Sequence, residues 1–249
     1  MGILSGFFRK RNKKDAPGLN LLSVDTPFAI RQAYKSLYTN VLYLDIDTKC
    51  KKIAVTSALP GECKSTVSSN LSMMLAENLE DKKVLLIDSD IRSPRIWSIF
   101  GLKRNAHGLS EYLAGIDEVP NIQQYQDTKL SILTCGAQSV NPTKLVGSKK
   151  MKKLLDYCEE LFDYVIIDTP PTNLVSDALL LGNVVNGYII SARADSSDVN
   201  SISQCVESIN NIGTDIYGIV LSDVKLKGGK NVYGKYESRY ALYEKDFVN

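Results

Sequence analysis

Six short apolar runs recur along the chain: IAVTSA near residue 53, VLLID near 84, SILTC near 131, YVIID near 164, YIISA near 188 and YGIVLS near 217. They are rich in valine and isoleucine, bounded by turn residues and separated by longer segments of helical period. This alternation predicts a doubly wound, mostly parallel α/β sheet with helices on both faces and a ligand site at the carboxyl ends of the strands. Met151, Leu154, Leu155, Cys158 and Leu161 recur at i, i+3, i+4, i+7 and i+10, which predicts a helix with one buried face. Lys149, Lys150, Lys152 and Lys153 then read as its wet face rather than as a nucleic-acid contact. At 249 residues and 44% hydrophobic, the chain can bury one large domain of this class.

Residues 58–66, ALPGECKST, follow the first run and lead into an amphipathic stretch, the address of a nucleotide-phosphate loop. The pattern G-x-x-x-x-G-K-[ST] uses glycines so that backbone N–H groups wrap phosphate, a lysine for the β/γ oxygens and a hydroxyl for Mg²⁺. Pro60, Gly61, Glu62, Cys63, Lys64, Ser65 and Thr66 are therefore the candidate ATP-binding residues of a P-loop NTPase-like fold. Cys63 stands where the last glycine belongs and Ala58 where the first does. If that position needs a left-handed backbone, cysteine costs ~1–3 kcal/mol there.

Three acids close apolar runs: Asp88 and Asp90 in LLIDSDIR, and Asp168 in VIIDTPP. Acids at strand ends emerge beside such a loop, where they can hold Mg²⁺ or its waters, or accept a proton from an attacking hydroxyl. Each alone reads as a turn or helix cap; two such runs together with the loop favour the chemistry. Arg92 either neutralises developing phosphate charge or pairs with an acid. The only histidine, His107, lies in a loop-like stretch and leaves little basis for Ser-His-Asp hydrolysis or histidine metal sites. Five scattered cysteines without a C-x-x-C pair argue for free thiols.

The net charge of +2 hides an asymmetry, since residues 1–14 carry +5 and residues 224–249 carry +3, leaving −6 between them. The basic ends suit anionic lipid, an acidic partner or plain solvation. No run approaches the roughly 18 apolar residues of a membrane span, and the N-terminus places its charges after a short apolar patch, so the chain is expected to be cytoplasmic. Tyr233, Tyr236, Tyr240 and Tyr243 fall within 11 residues, where even use of the chain's 13 tyrosines over 249 positions would place fewer than one. They form either a buried helical stripe or a phosphoacceptor tail; each phosphate adds roughly −1.5 to −2.

Together, SALPGECKST, LLIDSDIRSP, VIIDTPP and the terminal tyrosines resemble the bacterial tyrosine kinases of capsule and exopolysaccharide operons, in their Gram-positive, separately encoded branch. QAYKSLYTN near 32 and GLSEYLAG near 108 extend the resemblance over nearly the whole chain. It implies a basic segment 1–20, a P-loop kinase domain 21–224 and a tyrosine-rich tail 225–249. It further implies ATP and Mg²⁺, with Lys64 on the β/γ phosphates and Ser65 on the metal. Asp88 and Asp90 would serve the metal and the proton of the incoming tyrosine, and Asp168 would hold Mg²⁺ through water. Arg92 joins the catalytic set, and Tyr233, Tyr236, Tyr240 and Tyr243 become the phosphoacceptors. The implied partners are a membrane adaptor of the polysaccharide co-polymerase type, other copies of the chain and a cognate tyrosine phosphatase, with no nucleic acid.

Three departures accompany the resemblance. Cys63 replaces glycine. Gln32, Lys35 and Tyr38 stand where relatives carry the E-x-x-R-x-x-R motif of ring assembly, and Ser222 where many have an asparagine near the base. A weakly binding regulatory subunit and a ParA/MinD-like positioning ATPase are the competing readings; the latter would carry a lysine where Leu59 stands.

Overall fold

The computed structural model describes residues 21–23, 26–104, 106–194 and 196–224. The basic N-terminal segment and the four tail tyrosines lie outside these residues. In chain order the elements are α1 (Phe28–Leu42), β1 (Lys51–Ser57), α2 (Lys64–Asn78), β2 (Val84–Asp88), α3 (Ile96–Ile99), α4 (Leu109–Ala114), β3 (Gln123–Gln124), β4 (Leu130–Leu133), α5 (Pro142–Val146), α6 (Lys149–Leu161), β5 (Tyr164–Asp168), β6 (Gly187–Arg193), α7 (Val199–Asn211) and β7 (Asp215–Ser222), with a short 3-10 turn at Leu179–Leu181.

The strands form one seven-stranded sheet in the order β3-β4-β2-β5-β1-β6-β7. All neighbours are parallel except β3 and β4. Alternation along the buried strands explains why helices cover both faces. Ile53, Val55, Val84, Leu86 and Ile166 join one apolar cluster with Val67, Leu71 and Leu75 of α2. Ala54, Leu85, Ile87, Val165 and Ile167 point the other way, into a second cluster with Leu154 and Cys158 of α6 and Cys205 and Ile209 of α7. Strands buried on both faces read as continuous apolar runs, which is how they stand in the sequence.

Local chemistry sets the helix starts. Ser148 caps α6 by accepting from the Met151 amide at 3.2 Å, and Asp198 caps α7 by accepting from the Ser201 amide at 2.9 Å. Helix α2 lies close to the sheet through small polar residues that satisfy themselves, Ser68 and Ser72 donating to carbonyls of the preceding turn at 3.1 and 2.8 Å.

Two features depart from the sequence reading. Leu161 is 44% exposed, so the buried face of α6 ends at Cys158. The antiparallel edge strand β3, two exposed glutamines, has no apolar pattern to announce it. All five cysteines are free, and His107 is paired with Asp117 at 3.0 Å on the surface.

Candidate active site

Strands β1, β2 and β5 are neighbours in the sheet, and the loops at their carboxyl ends converge. Asp88 and Asp168, the last residues of β2 and β5, are register partners, so their side chains lie side by side. The phosphate loop joins Ser57 of β1 to Lys64, the first residue of α2. Gly61 (φ 83°) and Cys63 (φ 64°, ψ 15°) both take left-handed backbone, the conformation that turns successive amides toward an anion. Cys63 is the N-cap of α2 and offers no side-chain cap, which leaves the first amides of a 15-residue helix for a ligand.

Lys64 lies over the carboxylates. Its Nζ is 2.6 Å from Asp90 Oδ2 and 3.4 Å from Ser65 Oγ, with the lysine side chain 12% exposed and that of Asp90 2%. Burial would lower its pKa, but Asp168, Asp90 and Asp88 together hold the ammonium above the ordinary lysine value. The other Asp90 oxygen accepts from the Ser93 amide at 3.0 Å, which orders the β2 loop. Asp88 uses one oxygen to accept from the Ile96 amide at 3.1 Å. Its second oxygen, both oxygens of Asp168 and the Thr66 hydroxyl are buried without a hydrogen-bond partner. Burial, then the neighbouring Asp168, pushes the Asp88 pKa well up, and burial pushes Asp168 up against the pull of Lys64. The Ser65 and Ser68 hydroxyls stand near enough to Asp168 to lower its pKa, yet neither meets hydrogen-bond geometry.

Three carboxylates therefore face one lysine, and buried unpaired oxygens are costly unless a proton or cation joins them. Among the described residues no three His, Cys, Asp or Glu side chains form a metal cage by themselves. That pattern fits Mg²⁺, which binds one or two protein groups and takes its remaining ligands from phosphates and water.

Two loop and motif residues occupy other positions. Glu62 is buried beneath the loop, accepting from the Leu59 amide at 2.8 Å and from the Ser197 hydroxyl, while Ser191 donates to its carbonyl. Its side chain braces the loop, so only its backbone is available to phosphate. Arg92 lies with Asp177, its Nε and Nη2 at 2.8 and 3.2 Å from the two carboxylate oxygens, and donates to Thr143 Oγ1 at 2.9 Å. Of its two readings, the structure holds the ion pair. Asp177, Thr143 and Ser197 carried no motif; the only local signal was the Ser-Asp pair at 176–177 before an apolar stretch.

A family model described as an AAA domain matches residues 50–219. The tyrosine-protein kinase YwqD of Bacillus subtilis is 31% identical over 95% of this chain and 99% of that protein. The tyrosine-protein kinase etk of Escherichia coli K12 is 32% identical over 87% of this chain, which spans 30% of that longer protein. The solved kinase domain of Escherichia coli tyrosine kinase ETK superposes with a TM-score of 0.74 at 30% identity, covering 88% of each chain. With the loop, the strand-end acids and the sheet order all in place, the chain belongs to the bacterial tyrosine-protein kinases.

Proposed function

We propose that the chain uses ATP to phosphorylate Tyr233, Tyr236, Tyr240 and Tyr243 of its own C-terminal segment and, with a membrane adaptor of the polysaccharide co-polymerase type, regulates capsular or exopolysaccharide synthesis. The observation that best supports the chemistry is the gathering of Lys64 and unpartnered oxygens of Asp88 and Asp168 beside an open helix N-terminus. On this reading the loop amides and Lys64 hold the β and γ phosphates, Lys64 leaving Asp90 to do so. Asp90, released, accepts the phenol proton. The tyrosine oxygen bonds to the γ phosphorus as the bond from that phosphorus to the bridging oxygen breaks, and ADP departs. A phenol ionises near pH 10, so proton acceptance assists, while positioning and charge neutralisation contribute most. Mg²⁺, which Ser65 and Asp88 would hold with Asp168 behind a water, supplies neutralisation of the phosphate charge. Self-association and a cognate phosphatase that resets the tail complete the cycle at the inner face of the membrane.

Incubation with Mg-ATP and adaptor, followed by mass spectrometry of the tail, tests this reading. Phosphate on the four tyrosines, absent with Lys64→Met, is the expected result; no phosphotyrosine while a relative is active in parallel would overturn it. The strained Cys63 favours a second reading, a weakly binding regulatory subunit. Calorimetry with Cys63→Gly separates the two, since equally tight ATP binding by both chains removes the second.

A further inference from the structure

The lysines of α6 stand at the electrostatically wrong end of their helix. Residues 142–153, PTKLVGSKKMKK, hold five lysines and no acid, and four of the five lie in the first five residues of α6. A helix N-terminus already carries partial positive charge, so these cations oppose the dipole. Lys150 has an internal use, with its Nζ 4.4 Å from the centroid of the Tyr112 ring, and Lys152 pairs with Asp156 at 3.5 Å. Lys144, Lys149 and Lys153 are exposed, and no acid pairs with them among the described residues.

Their position adds a second observation. Helix α6 turns directly into β5, so it runs against the strands and begins at their carboxyl ends, the edge that carries the active site. Thr143, next to Lys144, bonds Arg92 of the β2 loop. At the same edge β7 ends at Ser222, and residues 225–249 follow. Fully extended at ~3.3–3.6 Å per residue, those 25 residues would span about 80–90 Å, ample to reach α6.

We propose that the α5–α6 lysines are the docking surface for the chain's own C-terminal segment once its tyrosines carry phosphate. The inference rests on the phosphoacceptor reading of the tail. Residues 224–249 carry +3 and are repelled by the lysines; four phosphates of roughly −1.5 to −2 each turn that into about −3 to −5. Exposed pairs are individually weak, but tethering places the segment at ~mM effective concentration, so several weak pairs suffice. The docked tail lies beside the site and leaves the reacting carboxylates clear.

The test uses the full chain and synthetic fluorescent peptides of residues 229–249, with and without phosphate on the four tyrosines. Fluorescence anisotropy should show the phosphopeptide binding about tenfold tighter, less so at high salt. Lys149→Glu with Lys153→Glu should weaken it at least about fivefold, and Lys144→Glu further, whereas Lys103→Glu, the same charge change elsewhere, should not. Thermal melts confirm that the variants fold. Equal binding of the two peptides, or no effect of the α5–α6 reversals, would overturn the proposal. So would lysine-dependent binding to phosphatidylserine vesicles combined with lysine-independent binding of the phosphopeptide, which would make the surface a membrane face. Because the phosphate is installed chemically, failure here is distinct from failure of autophosphorylation, which the ATP incubation reads.

Discussion

At Cys63 the side chain sits on a backbone with φ 64°, where only glycine is at ease. The strain belongs to the folded loop, at ~1–3 kcal/mol, so Cys63→Gly should raise the Tm by ~2–4 °C for each kcal/mol relieved. Calorimetric melts check this, and a lowered Tm would mean that the thiol's packing outweighs the strain. Opposite the loop, Asp88 and Asp168 have folded-state pKa values raised chiefly by burial. A carboxyl that holds its proton more tightly in the folded state contributes stability below its unfolded pKa, near 4, and loses it as pH rises through the folded value. In EDTA, the Tm contribution of this pair should therefore fall as pH climbs from about 4 toward neutrality. Each tenfold difference in proton affinity is worth ~1.4 kcal/mol. Asp88→Asn should flatten the slope, and an unchanged pH profile in that variant would count against a raised pKa.

Among the elements, α6 shows what periodicity can and cannot foresee. Its spacing marked Met151, Leu154, Leu155 and Cys158 as buried, and they are, because a helix lying along a sheet must keep one stripe inward. The same spacing included Leu161, but at 3.6 residues per turn the tenth residue on has rotated roughly 80° away from Met151, to the rim of the buried stripe, where it is 44% exposed. Leu154→Ala should accordingly cost ~2–5 kcal/mol in denaturant unfolding, and Leu161→Ala within ~0.5 kcal/mol; similar costs would place both on one buried face. The site divides in the same way. Lys64, Asp88, Asp90 and Asp168 were legible because each is written in a few adjacent residues at a strand end. The partner of Arg92 was not, since Asp177 is 85 residues away and meets it only once β2 and β5 are neighbours. The brace from Glu62 to Ser197, 135 residues apart, was hidden for the same reason. Asp177→Asn should cost ~1.5–3 kcal/mol as a hydrogen-bonded charge is lost, and should loosen the loop that carries Asp90. If the pair only stabilises the fold, kcat for ATP stays unchanged while the Tm drops.

At the scale of the whole molecule, sheet order gathers three separate motifs into one cleft. Strand β5 returns between β1 and β2, so Lys64, Asp88 and Asp168 meet although 104 residues separate the first from the last. Among the described residues, the two apolar clusters that hold this arrangement draw on positions from Leu21 to Val220. On the proposed phosphoacceptor reading of the tail, changes at its tyrosines should leave unfolding untouched while removing the acceptors. Replacing Tyr233, Tyr236, Tyr240 and Tyr243 by phenylalanine tests this, because phenylalanine keeps the ring and removes only the hydroxyl. The stability change should stay within ~0.5 kcal/mol, as for surface positions. Phosphotyrosine formed from Mg-ATP should vanish from the chain, while a synthetic tyrosine-containing polymer added to the same reaction is still phosphorylated. Replacing the four by alanine gives the complementary reading. An alanine variant as stable as the wild type keeps the tail outside the core, whereas a loss of several degrees in Tm would make the tyrosines one buried helical stripe, with their hydroxyls out of reach of Asp90.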